Sequence, residues 1–415
     1  MRVLGGWLWP ESLLGRFKIV CANLRQLHLV YALLWRMLCA SLPLAPESWQ
    51  AHDVYVVDSL STCVPLLRFL AFTRTVFYCH FPDQLMAPAE PSPLRALYRM
   101  PADALERTTV AEADEIVVNS HFTRAAFART FPHVAKQLRV VYPGIDVKAY
   151  TERVATLDYL PTNALLSINR FEDKKDLALA VEAFAMVRDN KTKLVIAGGF
   201  DPLLADNVAT LRKLQALTKR LKLTQHTFSS TPMTSKLVSA TRPEQVTYDV
   251  LFLLNMTQGE KVALLQACVA LLYTPSNEHF GIVPIEAMAA GAPVLSTNSG
   301  GPVETVITRD EDAEHWTGFR QVASAAAWAA VLRDEIMPLS DAERERLRVD
   351  GPARVERTFG TAQLASSLED VVFSALDSRR PPIYTEVGFQ KCIMFVVNFG
   401  VLMPVALLYI LLWRK

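Results

Sequence analysis

With 415 residues the chain is expected to form two domains rather than one, and its 51% hydrophobic and 20% charged composition supplies a sizeable core. Its 43 basic and 42 acidic residues leave a net charge of +1, without the basic excess that marks nucleic-acid binding. The six cysteines (Cys21, Cys39, Cys63, Cys79, Cys268 and Cys392) form no C-x-x-C pair, and the eight histidines form no H-E-x-x-H. They read as free thiols in a reducing compartment, with neither a disulfide framework nor a protein-built metal site.

Met1–Pro10 holds too short an apolar run for a signal peptide. From Phe17 to Leu44 a long apolar stretch is broken by Lys18, Arg25, Gln26, His28 and Arg36, which argues against a spanning helix. A core helix or a helix lying on a bilayer remain as its two readings.

Four β-branched runs follow, at Asp53–Asp58, Thr75–Cys79, Glu115–Asn119 and Leu138–Tyr142. Four more lie at Ala164–Ile168, Lys193–Ala197, Ala270–Tyr273 and Pro293–Ser296. Asp176–Arg188 carries apolar residues at Leu177, Ala180, Val181, Phe184 and Val187, the spacing of an amphipathic helix. Strands alternating with helices imply parallel sheets with right-handed crossovers. Thr227–Tyr248 is polar and irregular, and reads as an inserted surface loop.

At the far end, Cys392–Trp413 has no charge, an aromatic near each end and Arg414-Lys415 behind it, which suits a membrane span. The predicted architecture is therefore α/β, with two Rossmann-like domains facing a cleft and a C-terminal transmembrane helix. The boundaries are 1–155 for the first domain, 156–378 for the second and 389–413 for the membrane segment.

Ligands of open parallel sheets bind at the carboxyl ends of strands. At one such end stands Ser276–Glu286, SNEHFGIVPIE. Its carboxylates, Glu278 and Glu286, flank the start of a helix whose free N–H groups suit an anion. Gly281 between them lets backbone approach a ligand, and carboxylates accept hydrogen bonds from sugar or ribose hydroxyls. At another strand end, INRFEDKKD places Arg170 and Lys175 where two cations can neutralise a departing diphosphate. Lys174 is a weaker candidate for the second cation. His80, in FYCHFPD, follows a third strand directly, and Gly198-Gly199 ends a fourth. Asn119–Thr123 reads as a structural turn capping the next helix.

The Ser276–Glu286 segment resembles the E-x7-E motif of GT-B glycosyltransferases related to glycogen and sucrose synthases, glycosyltransferase family 4. The resemblance implies that Glu278 contacts the donor sugar and Glu286 the nucleotide ribose. The backbone of Phe280, Gly281 and Ile282 would meet sugar and diphosphate. Arg170 and Lys175 match the family's Arg-x4-Lys pair, and His80 a histidine close to the donor sugar. Gly198 and Gly199 stand where members often meet the nucleotide. YCHFPD, VNSHFT, SINRFEDKKDLALAVEAF and YTPSNEHFGIVPIEAM are similar to the dolichol-pathway mannosyltransferases, over about Val3–Leu368 apart from Thr227–Tyr248.

That likeness implies retaining, metal-independent transfer of α-1,3- and α-1,6-linked mannose in lipid-linked oligosaccharide synthesis for N-glycosylation. GDP-mannose would be the donor and a dolichyl-diphosphate oligosaccharide the acceptor. No cofactor is implied, and no nucleic-acid partner. The catalytic domains would face the cytosol at the endoplasmic reticulum membrane, with other mannosyltransferases of the pathway as candidate partners. Two alternatives stay open: a GT-B transferase using another nucleotide sugar, and an inactive membrane-anchored partner. Family members begin with a strand and a Gly-rich loop, usually containing Gly-Gly-Ala-Glu. Here Gly5-Gly6 is followed by Trp7, so the first domain is expected to be N-terminally incomplete.

Overall fold

The computed structural model describes residues 17–378, apart from 41–51, 70–72, 87–92, 135–136, 155–156 and positions 190, 234 and 236. The chain divides into two compact units, Met1–Val141 with Ser366–Lys415, and Tyr142–Ala365. The apolar Cys392–Trp413 segment lies outside the described residues. Among those described, no helix is long and apolar enough to cross a membrane.

The first unit holds a four-stranded sheet of β1 (Val54–Asp58), β2 (Arg74–Cys79), β3 (Glu115–Val118) and β4 (Leu138–Val140), in that order and parallel throughout. Helices α1 (Lys18–Cys39), α2 (Val64–Phe69), α3 (Pro93–Val110) and α4 (His121–Thr130) accompany it. Phe77, Ile116 and Val118 of the strands pack with Leu27 and Val30 of α1 and Val64 and Leu67 of α2. Thus α1 is a core helix on one face, while Tyr31 and Trp35 are exposed on another.

Buried polar contacts fix α1 against the end of β1. Gln26 Nε2 donates to the Leu60 carbonyl at 2.5 Å, and the Thr62 hydroxyl donates to Asn23 Oδ1. Ser120 caps α4 by accepting from the Thr123 N–H at 3.0 Å, as the Asn119–Thr123 turn predicts.

The second unit carries helices α5 (Lys148–Thr151), α6 (Leu177–Val187), α7 (Ala205–Arg220), α8 (Gln258–Ala267), α9 (Ile282–Ala289), α10 (Pro302–Thr305), α11 (Ala325–Val331) and α12 (Asp341–Phe359). A further helix, α13 (Thr361–Asp377), begins here and runs into the first unit's residues. The strands are β5 (Ala164–Ile168), β6 (Lys193–Gly198), β7 (Gln225–Ser229), β8 (Val250–Leu254), β9 (Ala270–Tyr273), β10 (Val294–Thr297) and β11 (Gly318–Gln321). They form one parallel sheet in the order β11-β10-β9-β5-β6-β8-β7.

Alternate strand residues feed two cores, because successive side chains leave a strand on opposite faces. Leu165, Leu194 and Ile196 enter one core with Phe184 of α6 and Leu211 of α7. Leu166, Val195 and Ala197 enter the other with Ile285 of α9 and Leu264 of α8. The apolar positions expected of α6 point inward, with Leu177, Ala180, Val181 and Phe184 buried.

Three strands escape the sequence reading, and one corrects it. Thr227–Ser229 lies in β7, so the stretch read as a surface loop opens with a strand at the edge of the sheet. Its polar side chains find internal partners: His226 Nε2 is 3.0 Å from the Thr241 carbonyl, and Gln215 Nε2 donates to Thr227 Oγ1 at 3.0 Å. β8 is apolar at every position, and periodicity cannot tell such a run from a buried helix segment. β11, at the other edge of the sheet, is only four residues long (GFRQ), with its first two residues buried and no alternation to mark it.

Candidate functional site

The sheet order reverses between β5 and β9. From β5 the chain crosses to β6 on one side, while β9 leads to β10 on the other. Such a switch point opens a crevice beyond the carboxyl ends of its two strands. The segments leaving β5 and β9 are Asn169–Lys175 and Thr274–Gly281, the two strongest motifs of the sequence.

These segments are tied together. Thr274 Oγ1 donates to the Lys175 carbonyl at 2.6 Å, and Lys175 Nζ makes an ion pair with Glu278 Oε2. Both side chains are mostly buried, 14% and 22% exposed. Burial pushes the Glu278 carboxyl up, but the hydrogen bond and charge of Lys175 outweigh it and hold the group below its usual range. Gly300 and Gly301 back the Glu278 loop. A Cβ at Gly300 would lie 2.4 Å from the Glu278 carbonyl oxygen, and the Gly301 N–H donates to that oxygen at 2.7 Å.

Glu286 sits one turn into α9 and is buried. Its Oε1 accepts from Tyr150 Oη at 2.6 Å and from Lys261 Nζ at 2.7 Å. Burial would lower the Lys261 ammonium, but Glu286 raises it above its ordinary value. Tyr273, at the end of β9, senses both carboxylates. Burial first, then Glu278 and Glu286, push its phenol far up. Gly281, the N-cap of α9, has φ 84° and passes over that ring, where a Cβ would meet Tyr273 Cε1 at 3.2 Å. Phe280 is buried beside Tyr142 and Phe359, and Ile282 is exposed.

Arg170 leaves β5 into solvent, its side chain 71% exposed and paired with Glu172 at 3.2 Å. Its stem lies against Gly199, 3.5 Å from where a Cβ would stand. Gly198 is more constrained, with φ 154° and the Asn169 carbonyl oxygen 1.9 Å from the position of a Cβ. Lys174 is largely exposed and pairs with Glu172, not with Glu278.

His80 belongs to the first unit, at the carboxyl end of β2. Its Nε2 is 2.7 Å from Asp58 Oδ1, and the β1–β2 register, which pairs Asp58 with Tyr78, brings the carboxylate there. The hydrogen bond from His80 lowers the Asp58 carboxyl. The turn after His80 is pinned by Glu106 of α3, which accepts from the Asp83 and Gln84 N–H groups at 2.7 and 3.1 Å. Among the described residues, no group of three or more His, Cys, Asp or Glu side chains could hold a metal ion.

The sequence reading missed Lys261, Tyr150, Tyr273, Asp58 and the Gly300-Gly301 support. Two adjacent glycines just after β10, in Asn298–Thr305 (NSGGPVET), are a signal for the last; the others come together only through the fold.

Comparison with known proteins gives the family of the chain. Residues 16–149 match the family described as Glycosyltransferase Family 4, and residues 151–348 match Glycosyl transferases group 1. The alpha-1,3/1,6-mannosyltransferase ALG2 of Kluyveromyces lactis is 37% identical over 407 residues, covering 95% of this chain and 78% of that protein. The chain belongs to the ALG2 mannosyltransferase family. It is a glycosyltransferase.

The ALG2 of Saccharomyces cerevisiae is also 37% identical, over 90% of this chain and 73% of its own length. That of Schizosaccharomyces pombe is 35% identical over 100% of this chain and 76% of its own. Among solved structures, sucrose-phosphate synthase from Thermosynechococcus elongatus superposes with a TM-score of 0.63 at 19% identity, covering 90% of this chain and 83% of that one. Anabaena HepE in complex with UDP and glucose gives 0.55 at 17% identity, over 78% of each chain. The likeness shows the fold, which is α/β and GT-B-like with parallel sheets.

Proposed function

We propose that the chain transfers α-1,3- and α-1,6-linked mannose from GDP-mannose to dolichyl-diphosphate-linked Man-GlcNAc2, with retention of anomeric configuration. The observation that carries this is the Lys175–Glu278 pair at the switch between β5 and β9, in a chain of the ALG2 family. Arg170 and Lys175 are assigned the departing diphosphate, which gains charge as the sugar–phosphate bond breaks. Arg170 is solvent-facing and free to swing onto a ligand, while Lys175 is held in place by Glu278.

Glu278 takes mannose hydroxyls and Glu286 the ribose. The N–H groups at the start of α9, around Phe280, Gly281 and Ile282, take the phosphate oxygens, since the first turn of a helix has no internal partners for them. Gly198 and Gly199 keep the floor beside Arg170 low. His80, oriented by Asp58, positions the sugar. Charge on the leaving group is met by side chains, so no metal is required.

The acceptor lipid places the reaction at the endoplasmic reticulum membrane, with both units on the cytosolic side and the apolar 392–413 segment as the anchor. Other mannosyltransferases of the same pathway are the natural neighbours there. Competition among GDP-mannose, UDP-glucose and UDP-N-acetylglucosamine for transfer to a phytanyl-linked Man-GlcNAc2 acceptor tests the donor. GDP-mannose is expected to be used at least about tenfold better. Preference for either UDP-sugar would overturn the reading.

A further inference from the structure

Glu286 presents its two oxygens unequally. Tyr150 and Lys261 both bond Oε1, while Oε2 accepts no hydrogen bond among the described residues, and the side chain is 9% exposed. A carboxylate oxygen has two lone-pair sites, so Oε1 is full and Oε2 is open.

Both partners are themselves anchored. Lys261 stands in the first turn of α8, whose start is locked by a reciprocal cap. Thr257 Oγ1 accepts from the Glu260 N–H at 3.2 Å, and Glu260 Oε2 accepts from the Thr257 N–H at 2.6 Å. Glu260 Oε1 is held in turn by Tyr159 and Ser230 at 2.6 and 2.7 Å. A cation near a helix N-terminus sits at the unfavourable end of the dipole, so the helix itself gains nothing from a lysine there. On the other partner, the Tyr150 carbonyl accepts from Gln266 Nε2 at 2.8 Å, and its hydroxyl also receives Gln258 Nε2 at 3.3 Å. A ribose-binding carboxylate must also stand near an anionic diphosphate, and a buried carboxylate without a counter-charge would repel it.

Resting on the donor-site reading above, we propose that Lys261 and Tyr150 are positioning residues for the donor. They saturate Oε1 of Glu286, cancel its charge, and turn Oε2 alone toward the vicinal hydroxyls of the nucleotide ribose. Both ribose hydroxyls then converge on one oxygen, which only a cis-diol can satisfy.

The test is binding of GDP and of 2′,3′-dideoxy-GDP by calorimetry to the full chain in detergent, for wild type, Glu286→Gln, Lys261→Met, Lys261→Arg and Tyr150→Phe. Wild type is expected to favour GDP by about 10- to 100-fold, the worth of hydrogen bonds to a charged group. Lys261→Met should cut that preference to about threefold or less, with GDP losing the ribose contact and dideoxy-GDP only the smaller share owed to the exposed charge of Glu286. Lys261→Arg should restore most of it, and Tyr150→Phe should fall between. The KM for GDP-mannose should rise more than kcat falls. A misfolded variant would lose both ligands alike, and Lys261→Arg and Tyr150→Phe, milder changes, then decide the matter. If Glu286→Gln loses the preference while Lys261→Met and Tyr150→Phe keep it, the positioning role is wrong and the ribose reading survives. If Glu286→Gln keeps it, the ribose reading itself fails.

Discussion

Lys175 and Glu278, 103 residues apart in the chain, form an ion pair where β5 and β9 end side by side. The pair occupies the point at which the sheet changes direction, and each residue holds the other ready for a ligand. Neither is sealed from solvent, so an arriving diphosphate can reach the lysine where Glu278 holds it.

Lys175→Met should lower kcat by about 10²–10³, the usual cost of losing one preorganised electrostatic group. It should also alter acid stability. The folded Glu278 carboxyl titrates below its ordinary value, so the pair stabilises the protein above that value and is lost as pH falls through the folded one. Wild-type stability should therefore decline as pH drops below about 4.5, and Lys175→Met should show a shallower decline. Urea unfolding from pH 3 to pH 7 measures this; equal slopes would remove Lys175 as the cause.

Arg170→Ala separates catalysis from folding. The guanidinium is exposed, so stability should change by less than about 0.5 kcal/mol. Its kcat should fall about 10²–10³, with Arg170→Lys intermediate because lysine keeps the charge and loses the fork. EDTA should leave the wild type unaffected. Near-normal kcat for Arg170→Ala, or EDTA inhibition reversed by Mg²⁺, would show that these side chains do not carry the leaving group.

Glu106 gives a second pH signature. Burial raises its carboxyl to about 7, partly opposed by the N–H groups of Asp83 and Gln84 and reinforced by the charges of Asp83 and Asp103. A carboxyl with a raised folded value binds its proton more tightly in the native state. Stability should therefore fall as pH rises from about 4.5 to 7, then level off. Glu106→Gln keeps an acceptor for the turn after His80 and should abolish that slope. Thermal unfolding across this range checks it, and an unchanged slope would assign it to another group.

Gly198 and Gly199 are adjacent but not equivalent. Gly198→Ala drives a methyl into the Asn169 carbonyl oxygen, 1.9 Å away, and should cost about 3 kcal/mol or more, or prevent folding. Gly199→Ala meets only the Arg170 stem at 3.5 Å and should fold normally. Expression and urea midpoints of both variants compare them; equal behaviour would mean that the end of β5 does not approach Gly198 so closely.

What the sequence revealed follows from how each feature is written in it. β5, β6, β9 and β10 are apolar runs bounded by turn residues, so both they and the strand-end motifs could be placed. Glu278 and Glu286 stood out because strand, turn and helix follow one another within a few residues. Lys261 and Tyr150 did not, since their link to Glu286 spans 25 and 136 residues and a lysine on a helix reads as solvated. Asp58 needed the β1–β2 register to become a partner of His80. β7 was hidden because its polar side chains bond internally, which no hydrophobic period records. The two readings of Phe17–Leu44 were separated only by the packing of Leu27 and Val30 against the first sheet.

The central claim is the transfer itself, and product analysis tests it most directly. The full chain in detergent is incubated with GDP-mannose and phytanyl-diphosphate-linked Man-GlcNAc2, and the released glycan is examined by mass and by proton NMR. The expected product carries two added mannoses, one α-1,3 and one α-1,6, both with the anomeric configuration of the donor. A product with inverted linkages, or no transfer by a chain that binds GDP normally, would contradict the account.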